Sequence, residues 1–134
     1  MTTRGMARQT VSSMNESEFQ SLPGRGKITS ATIDSTISGD MSGTSTSLLL
    51  VLYDDEGHAR YNGYQTLTGS IGGKSGSTVF WVEGGYDGER IVTHFRFLPE
   101  YGTDGLSGLK GGGSATAGHG NIVKYEFEYS FLSD

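Results

Sequence analysis

The chain has 134 residues, a net charge of −5 and no cysteine. That makes it one domain able to bury about two-thirds of its unfolded surface, and it removes disulfides, thiolate catalysis and Cys-ligated metals. The ten Lys and Arg form no cluster of the kind a nucleic-acid groove needs.

No apolar run is long enough to span a membrane, and "MTTRGMARQT" carries two Arg with no apolar core behind them, unlike a signal peptide. A cytoplasmic protein without membrane or nucleic-acid partners is expected. Glycine, at 22 residues, is well over its usual share, and Thr, Ser and Tyr are common. Such a mixture suits strands and tight turns better than helices.

In chain order, residues 1–12 are polar and lack periodicity, which predicts a flexible tail, with a single domain over 13–134. From "ESEFQSL" onward the pattern is strand after strand. "KITSATIDSTISGDM" alternates Ala31, Ile33 and Ile37 against Asp34 and Thr36. "SLLLVLY" is apolar at every residue, so both faces of that strand call for cover. "DDEG" is a turn with Gly57 at positive φ. The next strand puts Tyr61, Gly63, Gln65 and Leu67 on one face, and "STVFWVEGGY" and "RIVTHFRFLP" follow. "GGGSATAGHG" suggests a flexible loop over one mouth, and "NIVKYEFEYSF" places Val123, Tyr125, Phe127, Tyr129 and Phe131 opposite Lys124, Glu126 and Glu128. Pro23 and Pro99 fall at strand edges or turns, and no window supports a helix. Seven or eight strands with short connections would expose two edges unless they closed, so the expected fold is all-β: a small closed antiparallel barrel of about eight strands.

"SGDMSG" (38–43), "GHARYNGYQTLTGSIGGKSGS" (57–77) and "GTDGLSGLKGGG" (102–113) resemble, in order and spacing, an uncharacterised family of small bacterial proteins. The resemblance covers residues 16–131 and implies a barrel like those of allene oxide cyclase and dirigent proteins. Relatives commonly carry Glu at Gln65, an aromatic at Thr78 and a His at Val82. The resemblance implies that neutral residues stand here where relatives could place an acid–base pair inside the barrel.

Several strings fall away as sites. "GGKSGS" lacks the spacing and the strand–loop–helix setting of a phosphate loop, and a hairpin turn is expected there. "NES" fits a glycosylation acceptor without any sign of secretion. His58, His94 and His119 show no metal-ligand spacing, so no metal and no cofactor are expected. Nothing orients a Ser/His/Asp triad, and among Asp34, Glu83, Asp87 and Glu89 only Glu83, near a strand end, draws attention.

Turning the apolar parities inward gives a lining of Ile33, Ile37, Tyr61, Gln65, Phe80, Tyr86, Phe95, Phe97, Tyr125, Phe127, Tyr129 and Phe131. Such a lining is either a packed core or an aromatic cavity, with Gly63 leaving room. In the second case Gln65, Tyr61, Tyr125 and Tyr129 are the candidate catalytic residues, polarising a carbonyl or hydroxyl of a hydrophobic small molecule. Phe80, Tyr86, Phe95, Phe97 and Phe127 would line its site, with Trp81 and Glu83 at the mouth. The resemblance implies a cofactor-independent cyclase or isomerase of secondary metabolism. A non-catalytic carrier, or a structural oligomer with a filled core, are the alternatives. Leu49, Val51 and Tyr53 would join the core, leaving Leu48, Leu50 and Leu52 outward as the contact of a homo-oligomer, dimer or trimer, unless an N-terminal segment covers them.

Overall fold

The computed structural model describes residues 2–117 and 122–132. Eight strands follow in order: β1 (Thr3–Leu22), β2 (Gly26–Gly39), β3 (Met41–Tyr53), β4 (Ala59–Ile71), β5 (Lys74–Tyr86), β6 (Ile91–Phe97), β7 (Leu109–Ala117) and β8 (Ile122–Phe131). Each pairs antiparallel with its neighbours in sequence, and β8 returns to β1, closing the barrel. Closure leaves no open edge where β1 meets β8, which answers the edge problem of a meander. The helical turns of the described residues are two short 3-10 segments, Pro99–Tyr101 and Asp104–Leu106.

The expected tail is corrected. Residues 3–10 pair with β8 from Tyr129 back to Ile122, and β1 continues along β2 as far as Leu22. The inward parity of this segment consists of small or amide residues, Gly5, Ala7 and Gln9, so it carries no hydrophobic period to reveal a strand. A Cβ at Gly5 would sit 2.5 Å from Cζ of Phe127, so glycine there makes room for a core ring. The Gly tract is corrected in the same way: residues 111–117 belong to β7, while 118–120, with His119, lie outside the described residues.

Elsewhere the alternation predicts the faces. Tyr125, Phe127 and Tyr129 are buried, while Lys124, Glu126 and Glu128 are exposed. Leu49 and Val51 are buried, and Leu48, Leu50 and Leu52 point outward. Gly57 closes the β3–β4 turn at φ 86°, and Gly72 and Gly73, both at positive φ, close the β4–β5 hairpin that the "GGKSGS" string spans.

The two barrel ends differ. At one, the connection from β6 to β7 folds across the opening. It is anchored by Thr103 N–H to Ser77 O at 2.9 Å and by a 2.7 Å hydroxyl contact between the same two residues. Leu106 and Leu109 drop in beside Met41 and Ile71, and all four are 0% exposed. Towards the other end Ile33, Tyr53, Ala59, Tyr61 and Val123 pack on the core but stay partly exposed, as does Phe131 beside Leu109 at the capped end. One end of the barrel is thus capped by the β6–β7 connection.

Candidate functional site

The interior is filled by rings and tied by amides. Phe80 and Phe97 meet edge to face at 4.9 Å, Phe80 and Phe95 stack at 5.5 Å, and Phe95 meets Tyr125 at 5.3 Å. Phe127, Tyr129 and Phe131 continue the series along β8. Alternation puts large side chains from β5, β6 and β8 at one level, where ring contacts each add about 0.5–1.5 kcal/mol beyond burial.

Beside the rings, four strands supply polar side chains that satisfy one another with Tyr125. The Tyr125 hydroxyl donates to Gln9 Oε1 at 2.6 Å, and Gln9 Nε2 donates to Ser35 Oγ at 2.7 Å. Gln65 Nε2 donates to Ser45 Oγ at 2.8 Å and to the Tyr125 hydroxyl at 3.3 Å. All five residues are buried. Burial pushes the Tyr125 phenol up to about 12, so it stays protonated at neutral pH. Both Gln65 amide protons are thus committed to the protein. The Thr78 hydroxyl, on the same inner wall, is the one buried side-chain polar atom among the described residues that lacks a partner.

Towards the end opposite the cap the wall becomes mixed. Tyr61 OH lies 2.6 Å from Thr93 Oγ1, and burial raises its pKa. Glu16 of β1 accepts from Thr29 Oγ1 at 2.5 Å and from Tyr53 OH at 2.6 Å. Those two hydroxyl bonds hold the Glu16 carboxyl below its usual range, so it is ionised at neutral pH. Glu16 reaches this wall because β1 is bulged between Val11 and Ser13, which shifts the face that each later residue presents.

The structure places the predicted residues as follows. Gln65, Tyr125, Tyr129, Phe80, Phe95, Phe97 and Phe127 are buried in the interior, with Ile37, while Tyr61 and Ile33 are partly exposed towards the end opposite the cap. Tyr86 is corrected: it is exposed beyond the wall, its hydroxyl donating to Gly88 O at 3.0 Å. Trp81 and Glu83 are corrected too. Both face outward on β5, the indole N–H 3.4 Å from Glu83 Oε1, with Tyr64 packed edge-on at 5.3 Å. Gly63 leaves no room: a Cβ there would lie 2.0 Å from the Leu48 carbonyl oxygen, so the glycine permits close approach of β4 to β3. His58 Nδ1 lies 3.5 Å from Asp54 Oδ2 in the β3–β4 turn, and His94 faces outward opposite Glu83. No group of three or more His, Asp or Glu among the described residues is placed to hold a metal.

Sequence reasoning missed Gln9, Ser35, Ser45, Thr93 and Glu16. The first four lie on the inward parity of their strands, but polar or small residues there resemble an outer face. Glu16 lies beyond a bulge that no local pattern announces.

A closed eight-stranded barrel with a self-bonded, ring-filled interior and a connection capping one end defines a class of small, filled β-barrels. Within it, the chain belongs to the DUF3224 family, described as a protein of unknown function, whose model matches residues 6–129. The crystal structure of a protein of unknown function from the DUF3224 family of Shewanella oneidensis MR-1 is similar to it. It superposes with a TM-score of 0.81 over 100% of both chains at 20% identity, a likeness of fold. No curated protein matches the chain. No helix of the described residues is long and apolar enough to cross a membrane.

Proposed function

We propose that this protein binds a hydrophobic small molecule at the end of its barrel opposite the cap and acts as a carrier or binding protein. The difference between the ends carries this reading: one is covered by the fully buried Leu106 and Leu109, with Phe131 partly exposed beside them, while towards the other Ile33, Tyr61 and Val123 are all partly exposed. An apolar wall beside a few fixed polar groups is the usual form of a small-molecule site. The ionised Glu16 beside Tyr53 suits a ligand head that donates hydrogen bonds, a hydroxyl or an amine. Charged residues on the outer face, Lys124, Glu126 and Glu128 among them, suit contact with water rather than lipid, and a cytoplasmic setting is proposed with it.

Native mass spectrometry of protein purified from its host, and titration with N-phenyl-1-naphthylamine, test the reading. A co-purifying compound and a saturable rise in probe fluorescence are expected, with Ile33→Trp closing the mouth and weakening the probe about tenfold. Absence of both a bound compound and probe binding in the wild type overturns it.

The resemblance to allene oxide cyclase and dirigent barrels supports a second reading, in which the same wall shapes the molecule for cyclisation or isomerisation. Conversion of the co-purified compound on incubation would favour that reading. Against it stands the commitment of Gln65 and Tyr125 to each other and to Ser45 and Gln9.

Self-association through Leu48, Leu50 and Leu52 is proposed as well. They are 58%, 57% and 39% exposed, and Leu48 stands in register with Tyr64, itself 54% exposed. Residues 3–22 are held in β1, paired with β8 over 3–10 and with β2 over 7–22, so they are not the cover. A second copy, presenting the same stripe, is the occupant proposed.

A further inference from the structure

The outer face of β4, β5 and β6 carries a second feature, which borders the barrel end at Tyr61 and Ala59. Asn62, Glu83 and His94 stand in one row across the three strands. Trp81 bounds the row on one side, its indole N–H on Glu83, and Tyr64 buttresses it edge-on. On the other side Gly85 stands between Arg60 and Val92 in register and offers no side chain, so the sheet surface dips. The result is a cleft of about 470 Å3 lined by Arg60, Asn62, Trp81, Glu83, Gly84 and His94, with Tyr61 reaching its edge. A second depression of about 390 Å3 shares Gly84 and His94 with it and continues to Tyr86, Asp87 and Arg90. The two form one elongated groove.

Its chemistry selects the ligand class. Two guanidinium groups, Arg60 and Arg90, are balanced by two carboxylates, Glu83 and Asp87, so no net field favours a phosphate, a nucleic acid or an acidic chain. The lining mixes apolar groups, Trp81, Tyr86 and Val92, with Arg60, Asn62, Glu83 and Arg90, so a wholly apolar ligand would bury those polar groups without partners. A peptide would need backbone donors and acceptors, but those of β4, β5 and β6 are already spent on the ladder. What remains is an aromatic platform beside side chains that both donate and accept, which matches a ring with one apolar face and a rim of hydroxyls. We propose that this groove binds a neutral oligosaccharide, one sugar ring stacked on Trp81 and its hydroxyls held by Glu83, Asn62 and His94.

Trp81 is the chain's single tryptophan, so its fluorescence reports on the groove when protein concentration, and with it any self-association beside Tyr64, is held constant. Wild-type protein is titrated with maltohexaose, cellohexaose, xylohexaose and chitohexaose, and with the matching monosaccharides, to about 10 mM, where weak sites saturate. At least one hexasaccharide is expected to shift the emission, and at least tenfold more tightly than its monosaccharide, because the groove extends beyond one ring. Calorimetry with Trp81→Ala and the isosteric Glu83→Gln, both on the outer surface, is expected to lose about tenfold or more each, with N-phenyl-1-naphthylamine binding unchanged. Silence with all four hexasaccharides, equal affinity for monomer and hexamer, or wild-type affinity in both variants overturns the proposal. So does a response to a casein digest with none to the sugars.

Discussion

The hydroxyl of Tyr125 on β8 donates to the side-chain carbonyl of Gln9 on β1 at 2.6 Å, at the seam where the barrel closes. The bond joins residues 116 positions apart and ends a buried chain that runs through Gln65 to Ser45. Tyr125→Phe leaves the Gln9 carbonyl oxygen buried without a donor, and a loss of about 1–3 kcal/mol in urea unfolding is expected. Gln9→Leu added to it should cost less than the sum of the two single changes, because they remove the same bond. Strict additivity would show that the bond contributes nothing.

Alkali should attack the same hydroxyl. The folded pKa of Tyr125 is raised from 10.0 to about 12, so the neutral phenol is favoured by folding. This contribution is fully present below pH 10 and is lost as pH climbs through about 12. Its size, two pKa units, corresponds to roughly 2–3 kcal/mol. The wild type should therefore lose stability between those values more steeply than Tyr125→Phe. Tyr53, also raised to about 12, acts in the same window and direction, but it is half-exposed and its part is small. Parallel pH profiles for wild type and Tyr125→Phe would refute the assignment.

Removing residues 2–10 should abolish cooperative folding. They supply the strand that closes β8, and Gly5 accommodates the Phe127 ring. Thermal melts followed by circular dichroism check this, and an unchanged Tm would mean that the segment is a dispensable tail after all.

Thr78→Val should be neutral or stabilise by up to about 1 kcal/mol, since the hydroxyl it removes is buried without a partner. Chemical denaturation of the apo protein measures it. A loss above about 1 kcal/mol would mean that the hydroxyl has a partner in solution.

Leu50→Lys should convert an oligomer to monomer without loss of fold, because Leu50 is 57% exposed and packs no core. Size-exclusion chromatography with light scattering decides it. A monomeric wild type at micromolar concentration would refute self-association.

The strands from β2 onward were legible wherever large apolar residues alternate with polar ones, as in β8 and in the inward Leu49 and Val51 of β3. The strand nature of residues 3–12 was not, because its inner residues are Gly5, Ala7 and Gln9, and small or amide side chains have no hydrophobic signal. The candidate site was legible in part. Gln65 and Tyr125 stand out as polar groups on apolar faces, but nothing local says that they bond each other.

What the sequence by itself determined is the all-β class, the faces of most strands and the outward leucines, because side-chain alternation is a property of consecutive residues. Only the tertiary structure decided which end is capped, that Gln9, Gln65 and Tyr125 form one buried chain, and that Trp81 and Glu83 look outward over a groove. Those relations depend on the register between strands distant in sequence and on the bulge in β1. Register is set by the summed packing of the whole barrel rather than by any one segment.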